Sequence, residues 1–192
     1  RIRLIPAVGI DRLDYRDPPR QFAPDPRRWR DRTRYLLQLN LAGVDYYTAS
    51  LIYGYGETED IPAGVWASLT GGFEAGERED RWYHGGRVIW PRVTGGGVVS
   101  LSAAYGGFRR AGRFEDGVLD LQASGFGALH RAGPGYWRHF FQLRYTLGVN
   151  QSADPLRLDH AGLRDLDREE IAGNQRLVAG LESVHFTPYA FF

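Results

Sequence analysis

The chain has 192 residues, 43% of them hydrophobic, and a formal net charge of +1. This hydrophobic content excludes a fully disordered chain, and the near-neutral charge argues against general electrostatic attraction to nucleic acid. No apolar run approaches the roughly 20 residues that a membrane-spanning helix needs, so a helical membrane protein is excluded as well. The 25 Gly, 11 Tyr, 10 Phe and 5 Trp residues instead favour an all-β fold.

The first predicted elements are a strand and a long loop. The chain begins in mid-strand at "RIRLIPAVGI" and stops at "TPYAFF", which predicts an internal fragment of a longer protein. Residues 16–33 mix Arg with Asp and Pro, a composition typical of a solvated loop rather than of a nucleic-acid-binding patch.

The next stretch, from Arg34 to Gly56, allows two interpretations because its apolar and aromatic residues keep odd parity throughout. It is either one very long strand with Asp45 out of step, or a hairpin that turns near "GVDYY". In membrane barrels the turns on one side are short and the loops on the other side are longer. Only the single strand places segment 16–33 on the same side as the long predicted loop 151–172, so we favour the single strand.

Four later segments alternate between apolar and polar residues, as expected of strands with two different faces. Their apolar positions are Val65, Ala67, Leu69 and Phe73; Val99, Leu101, Ala103 and Tyr105; Leu119, Leu121 and Ala123; and Trp137, His139, Phe141, Leu143, Tyr145, Leu147 and Val149. Turns of Gly, Pro or charged residues follow these segments, which predicts an antiparallel up-and-down meander.

The residues of the opposite parity separate a soluble sandwich from a membrane barrel. A sandwich exposes a face rich in Lys and Glu. Here that face is made of small hydroxylated and amide side chains, with Arg, Asp and Glu residues scattered singly among them. Such a face suits the wet lumen of a barrel. Aromatic residues near strand ends are expected to form girdles at the bilayer interface, the alternative being that they fill a soluble core; they are Trp82, Trp90, Tyr136, Trp137, Phe186 and Tyr189.

The sequence therefore predicts one partial domain over residues 1–192. The expected fold is an all-β, antiparallel up-and-down transmembrane β-barrel, represented by a fragment of about eight or nine strands. Membrane lipids are the partners that such a wall implies, and nucleic acid is not expected.

Residues suited to catalysis or metal binding are not grouped along the chain. No Cys is present, and the five His residues lack metal-ligand spacing; they are His84, His130, His139, His160 and His185. Ser152 lies near His160 but in no nucleophile motif. We therefore expect no enzyme activity, no cofactor and no metal.

Short motifs in the C-terminal part carry a family resemblance. They are "GLRDL" at 162–166, "GNQRL" at 173–177 and "LES" at 181–183, preceded by "ETEDIPAG" at 57–64. In these motifs the chain resembles the bacterial surface-antigen and haemolysin-activator family of outer-membrane barrels, which insert or translocate proteins and carry periplasmic POTRA domains. The resemblance implies a bacterial outer-membrane location, a polypeptide client and POTRA domains upstream in the same chain.

The resemblance also implies roles for particular residues. Gly162, Leu163, Arg164, Asp165 and Leu166 match the motif of a loop that folds back into the lumen, although Asp165 stands where the family has Gly and Leu166 where it has an aromatic residue. Gly173, Asn174 and Leu177 match the strand entry that follows this loop.

Arg164 has two possible partners by its chemistry and position. Glu182 has the parity of an inward-facing residue, and a guanidinium can form a two-pronged ion pair with such a carboxylate. Alternatively, Arg164 pairs with Asp165 or Asp167 on a solvated loop. The expected function is polypeptide transport or outer-membrane assembly, and the alternative is a plain structural or pore-forming barrel without a polypeptide client.

Overall fold

The computed structural model describes residues 2–15, 30–52, 57–77, 79–151, 156–157 and 172–187. Within these ranges the regular structure consists of strands alone. The strands are β1 (Ile2–Leu13), β2 (Arg32–Gly43), β3 (Tyr46–Ser50), β4 (Thr58–Pro62), β5 (Trp66–Gly76), β6 (Arg81–Thr94), β7 (Gly97–Arg110), β8 (Arg113–Phe126), β9 (His130–Ala132), β10 (Gly135–Val149), β11 (Leu156–Arg157), β12 (Ala172–Gly173) and β13 (Gln175–Phe186).

Nine of these strands form one antiparallel sheet. Its order is β1-β2-β5-β6-β7-β8-β10-β13, with β9 paired to the beginning of β10. The predicted all-β, up-and-down arrangement is thereby confirmed. Within the described ranges the sheet is open, because β1 and β13 are its edges and do not pair with each other.

The backbone that begins at Arg34, whose sequence allowed two interpretations, runs in one direction through "GVDYY" without a turn. Ala42 lies opposite Trp66 on β2 and β5, and Tyr46 lies opposite Pro62 on β3 and β4, so both ladders share one register. Between them Ala63 N–H donates to the Asp45 carbonyl at 2.8 Å. The predicted absence of a turn at this point is confirmed, but the strand is interrupted at residues 44–45, and β3 and β4 form a separate two-stranded sheet.

The two long segments leave the same end of the sheet, as predicted. Leu13 pairs with Arg32, and Leu147 pairs with Gln175, at what we call the loop end. The predicted bounds of the first loop are too wide, because Arg32 already belongs to β2. Part of the predicted loop 151–172 also forms structure, since β11 pairs with β12. We call the opposite end, where β2 passes into β3, the hairpin end.

The side chains of the main sheet divide into an apolar face and a polar face. Large hydrophobic residues on the apolar face are open to the surroundings; Leu69 is 70% exposed and Leu181 is 79% exposed. The parity predicted for Leu101, Leu121 and Leu143 is confirmed, because all are exposed on this face. The opposite face holds buried polar residues, among them Ser68, Glu74, Arg138 and Thr146. This distribution is the reverse of that in a protein with an apolar interior.

The aromatic residues expected near strand ends divide between the two faces. Trp82 is exposed on the apolar face near the loop end, and Trp90 is exposed on the same face near the hairpin end. They are eight positions apart on one strand, or about 26 Å at the usual rise per residue. The expectation fails for Tyr136 and Phe186, which pair with each other and share the parity of Arg138 on the polar face. Tyr189 lies outside the described residues.

The hydrophobic core of the described residues is small and lies where the β3–β4 hairpin meets the polar face of the sheet. Ile52 at the end of the hairpin packs with Val98 and Phe126, and Tyr47 and Ile61 pack around them. On β2 and β5 the even-numbered residues face the polar side, whereas on the hairpin the odd-numbered Tyr47 and Ile61 do so. The residues that face the polar side are therefore even-numbered on β2 and β5 but odd-numbered on β3 and β4, and the change occurs at the interruption.

Candidate functional site on the polar face

The residues predicted from sequence are only partly covered by the structure. Glu182 lies opposite Phe140 on β10, on the polar face of the sheet, and its side chain is exposed. Gly173 pairs with Leu156, and Leu177 is exposed on the apolar face. The Asn174 carbonyl accepts a hydrogen bond from Gly148 N–H at 2.7 Å. Gly162, Leu163, Arg164, Asp165 and Leu166 lie outside the described residues, so the pair between Arg164 and Glu182 stays a prediction.

A dense set of ion pairs lies on the polar face near the loop end. Glu74 is only 4% exposed and stands between two guanidinium groups. Arg34 Nε donates to Glu74 Oε2 at 2.6 Å, and Arg81 Nη2 donates to Glu74 Oε1 at 2.6 Å. Arg81 Nη1 also donates to Asp116 Oδ2 at 2.6 Å. Glu74 thus joins β2 to β6 through charge-assisted hydrogen bonds, which are stronger than neutral ones.

The same network continues across the next two strands. Arg110 on β7 pairs with Glu115 on β8 and with Glu79 in the turn before β6. Arg81 also lies over the Phe108 ring, with its Cζ 4.0 Å from the ring centroid. We call Arg34, Glu74, Arg81, Arg110, Glu115 and Asp116 the ionic cluster. Because their charges are satisfied by one another, the cluster acts as a brace between strands rather than as a source of free acid or base.

A β-bulge brings Glu115 and Asp116 of β8 into this cluster. Gly106 pairs with Val118 and Phe108 pairs with Glu115, so two residues of β8 face Gly107 alone. Asp116 adopts φ of +48°, and its N–H donates to the Asn150 carbonyl at 3.0 Å. Bulges re-aim side chains in this way. Alternation alone places Glu74 on the polar side, but it does not reveal the bulge that supplies Asp116.

A second polar group lies in the middle of the polar face. Asp120 Oδ2 accepts hydrogen bonds from Arg144 Nε at 2.8 Å and from Thr146 Oγ1 at 2.9 Å. Register explains the contact, because Asp120 lies directly opposite Thr146 and next to the pair of Gln122 and Arg144.

Arg138 attaches the β3–β4 hairpin to the sheet. Its Nη1 donates to the Ser50 carbonyl at 2.9 Å and to the Leu51 carbonyl at 3.4 Å. The guanidinium lies 4.9 Å from the Phe126 ring centroid, and the residue is only 3% exposed. Sequence reasoning placed Arg138 on the polar side but missed this role, because its partners are 87 and 88 residues away in the chain.

A cleft of about 750 Å³ remains between the hairpin and the polar face. Trp66, Phe126 and Phe140 form its apolar part. Its polar part comprises Ser100, Gln122, Ser124, Gln142 and Glu182. The cleft could hold an extended chain or a solute that offers both apolar and hydrogen-bonding groups. The carboxylate in the lining of the cleft is that of Glu182.

Among the described residues, the nearest arrangement to a hydrolytic centre is a pair of His139 and Ser183. His139 Nδ1 lies 2.7 Å from Ser183 Oγ, but the pair is on the apolar face. In the described residues no carboxylate or amide bonds to the other nitrogen of His139, so the group that orients a catalytic histidine is missing. The same residues contain no group of three His, Asp or Glu side chains that could hold a metal ion. No helix in these ranges is long and apolar enough to cross a membrane.

Comparison of the chain with protein-family models, with curated proteins and with solved structures finds no match. The functional assignment therefore depends on the two faces of the sheet and on the short motifs in the sequence.

Proposed function

We propose that the sheet is part of the wall of a transmembrane β-barrel in the bacterial outer membrane, with its apolar face toward lipid and its polar face toward an aqueous lumen. The observation that carries this proposal is the reversed distribution of side chains. Leu69, with 70% of its surface exposed, and Glu74, with 4%, lie on the same strand. A lipid-facing outer surface and a wet interior account for both, because lipid solvates exposed leucine and cannot solvate a carboxylate.

The proposal is tested by attaching an environment-sensitive fluorophore at neighbouring positions of one strand. The chain has no Cys, so single cysteines can be introduced at Leu101 and Ser102 without altering native thiols. In lipid vesicles, a quencher carried on the acyl chains should quench the label at position 101, and aqueous iodide should quench the label at position 102. Equal quenching at both positions by either agent would contradict the barrel wall.

Within this barrel we propose polypeptide transport or assembly as the activity, with no catalytic chemistry. The support comes from the motif at 162–166 and from Glu182, whose exposed carboxylate lines the cleft on the polar face. A guanidinium in a confined lumen forms a stronger pair than at a water-exposed surface. POTRA domains upstream and a translocated or inserted polypeptide are the partners that this activity requires.

Transport by the full-length protein tests this activity. Arg164→Ala and Arg164→Lys should both impair it, because a lysine cannot reproduce the planar fork of arginine. Leu166→Ala should be milder, and Asp165→Gly should be neutral or beneficial because it restores backbone freedom. A double-mutant cycle between Arg164 and Glu182 measures their coupling, and zero coupling would remove Glu182 as the partner. Wild-type transport by Arg164→Ala would exclude the lumen loop.

The second candidate is a pore-forming barrel without a polypeptide client. The cleft of about 750 Å³ favours it, because Ser100, Gln122, Ser124, Gln142 and Glu182 offer hydrogen-bonding groups to water in its polar part. Steady conductance of the purified protein in planar bilayers, together with unchanged conductance in Arg164→Ala, would favour the pore over the transporter.

A further inference from the structure

A cluster of polar and aromatic side chains lies on the apolar face near the loop end. Tyr105 Oη and His84 Nε2 are 2.6 Å apart, and the Phe114 ring stacks on Tyr105 with 6.1 Å between centroids. Trp82 and Arg109 lie directly opposite each other at the border of this cluster. This cluster adds a histidine, a tyrosine and an arginine to the exposed hydrophobic residues of the same face.

The charge of Arg109 is uncompensated. On the apolar face of β5 to β8 the described residues include no Asp or Glu, and Arg109 is exposed and forms no ion pair. Its guanidinium is therefore available to an anion from outside the described residues. The planar donors of arginine bind the oxygens of a phosphate well.

An apolar groove leads away from this cluster toward the middle of the face. Two adjoining hollows of about 490 and 580 Å³ share Leu39, Leu69, Gly86 and Tyr105 as lining residues. The groove exists because the residues at its floor are small; a Cβ added at Gly71 would meet nothing within 4 Å. Ala67 and Ala103 continue the floor toward Val88.

We infer that the cluster and the groove together bind one anionic phospholipid, with its phosphate at Arg109 and an acyl chain in the groove. This inference rests on the proposed membrane wall. Trp and Tyr rings prefer the headgroup level of a bilayer, which places Trp82 and Tyr105 beside the phosphate. From Trp82 to Val88 the strand spans about 20 Å, enough to accommodate most of an acyl chain.

The other end of the apolar face supplies a matched comparison. Arg92 also faces outward, and its Cζ lies 4.3 Å from the Trp90 ring centroid. It has the same charge and an aromatic neighbour, and neither arginine lines the hollows itself. The difference is that His84 and Tyr105, next to Arg109, line a hollow, whereas Trp90, next to Arg92, lines neither. Arg92 is therefore expected to contact lipid headgroups without selecting a bound molecule.

The test measures lipid that stays bound to the full-length protein after extraction from vesicles of phosphatidylglycerol or phosphatidylcholine, by native mass spectrometry. Arg109→Gln should reduce retained phosphatidylglycerol about tenfold, the size expected for losing one charged hydrogen-bonding partner. Arg92→Gln should not change it. Gly71→Leu should fill the groove and reduce retention of both lipids, whereas Ala179→Leu, on the same face but outside the groove, should not. Added inorganic phosphate should not displace the lipid.

The outcomes separate this inference from the proposed function. Equal retention by Arg109→Gln and Arg92→Gln, or unchanged retention by Gly71→Leu, would overturn the phospholipid site while the fluorophore test at positions 101 and 102 still supported the wall. Displacement by inorganic phosphate would show a free-anion site instead. Failure of the fluorophore test would remove the wall and the lipid site together.

Discussion

Leu121 and Asp120 are neighbours on β8, yet they experience opposite surroundings. Leu121 is 40% exposed on the apolar face, whereas the Asp120 side chain is 18% exposed and accepts two hydrogen bonds on the polar face. In a water-soluble sheet the hydrophobic member of such a pair would be the buried one. The contrast shows that the polar face is held together by ion pairs instead of by packed leucines, and it is this difference between the faces that the proposed membrane wall explains.

The largest effect is expected from breaking the ionic cluster at Glu74. Glu74→Gln removes the buried charge that Arg34 and Arg81 share, so the free energy of unfolding should fall by about 3–5 kcal/mol. Urea titration of the protein in lipid vesicles measures this change. Asp14→Asn is the control, because Asp14 is half exposed where it pairs with Arg12 and its loss should have no measurable effect. Similar losses in both variants would contradict the bracing role of the cluster.

A charge placed on the apolar face should lower the free energy of unfolding slightly less than Glu74→Gln does. Leu101→Arg should destabilise the inserted protein by about 2–4 kcal/mol if the site is near the bilayer midplane. Ser102→Arg, one residue along the strand, should be tolerated because its side chain enters the polar side. Leu143→Arg and Gln142→Arg repeat the comparison on β10. Folding yield and unfolding free energy in vesicles are the measurements, and equal tolerance on both faces would refute the difference in solvent.

The smallest effect concerns the attachment of the β3–β4 hairpin. Arg138→Met leaves the carbonyls of Ser50 and Leu51 without their donor, which should cost about 1–3 kcal/mol. Amide hydrogen exchange should accelerate in Tyr46–Ser50 and Thr58–Pro62 and stay slow in the main sheet. Arg144→Met, whose side chain is 40% exposed, should leave exchange in the hairpin unchanged. Uniform acceleration across the sheet after Arg138→Met would show that the hairpin is not a separate unit.

The two faces of the sheet lie within the described residues, whereas the short motifs are only partly covered by them. Glu182 lies on the polar face of the sheet, but Arg164 lies outside the described residues, so their pairing stays a prediction. Trp82 and Trp90 lie on the apolar face, as the predicted girdles require, whereas Tyr136 and Phe186 lie on the polar face. The alternation of β10 already gives Tyr136 the parity of Arg138, so a position near a strand end did not by itself indicate the face.

The sequence by itself determined which residues share a face along each long strand. Alternation is a local property of an extended chain, so Leu101 and Ser102 were assigned correctly without knowledge of their neighbours. Tertiary structure decided the rest. The bulge that turns Asp116 toward Arg81, the change of inner parity at the hairpin and the contact of Arg138 with Ser50 all depend on pairing between distant segments. Such pairing is set by register across the sheet, and no local pattern in the chain encodes it.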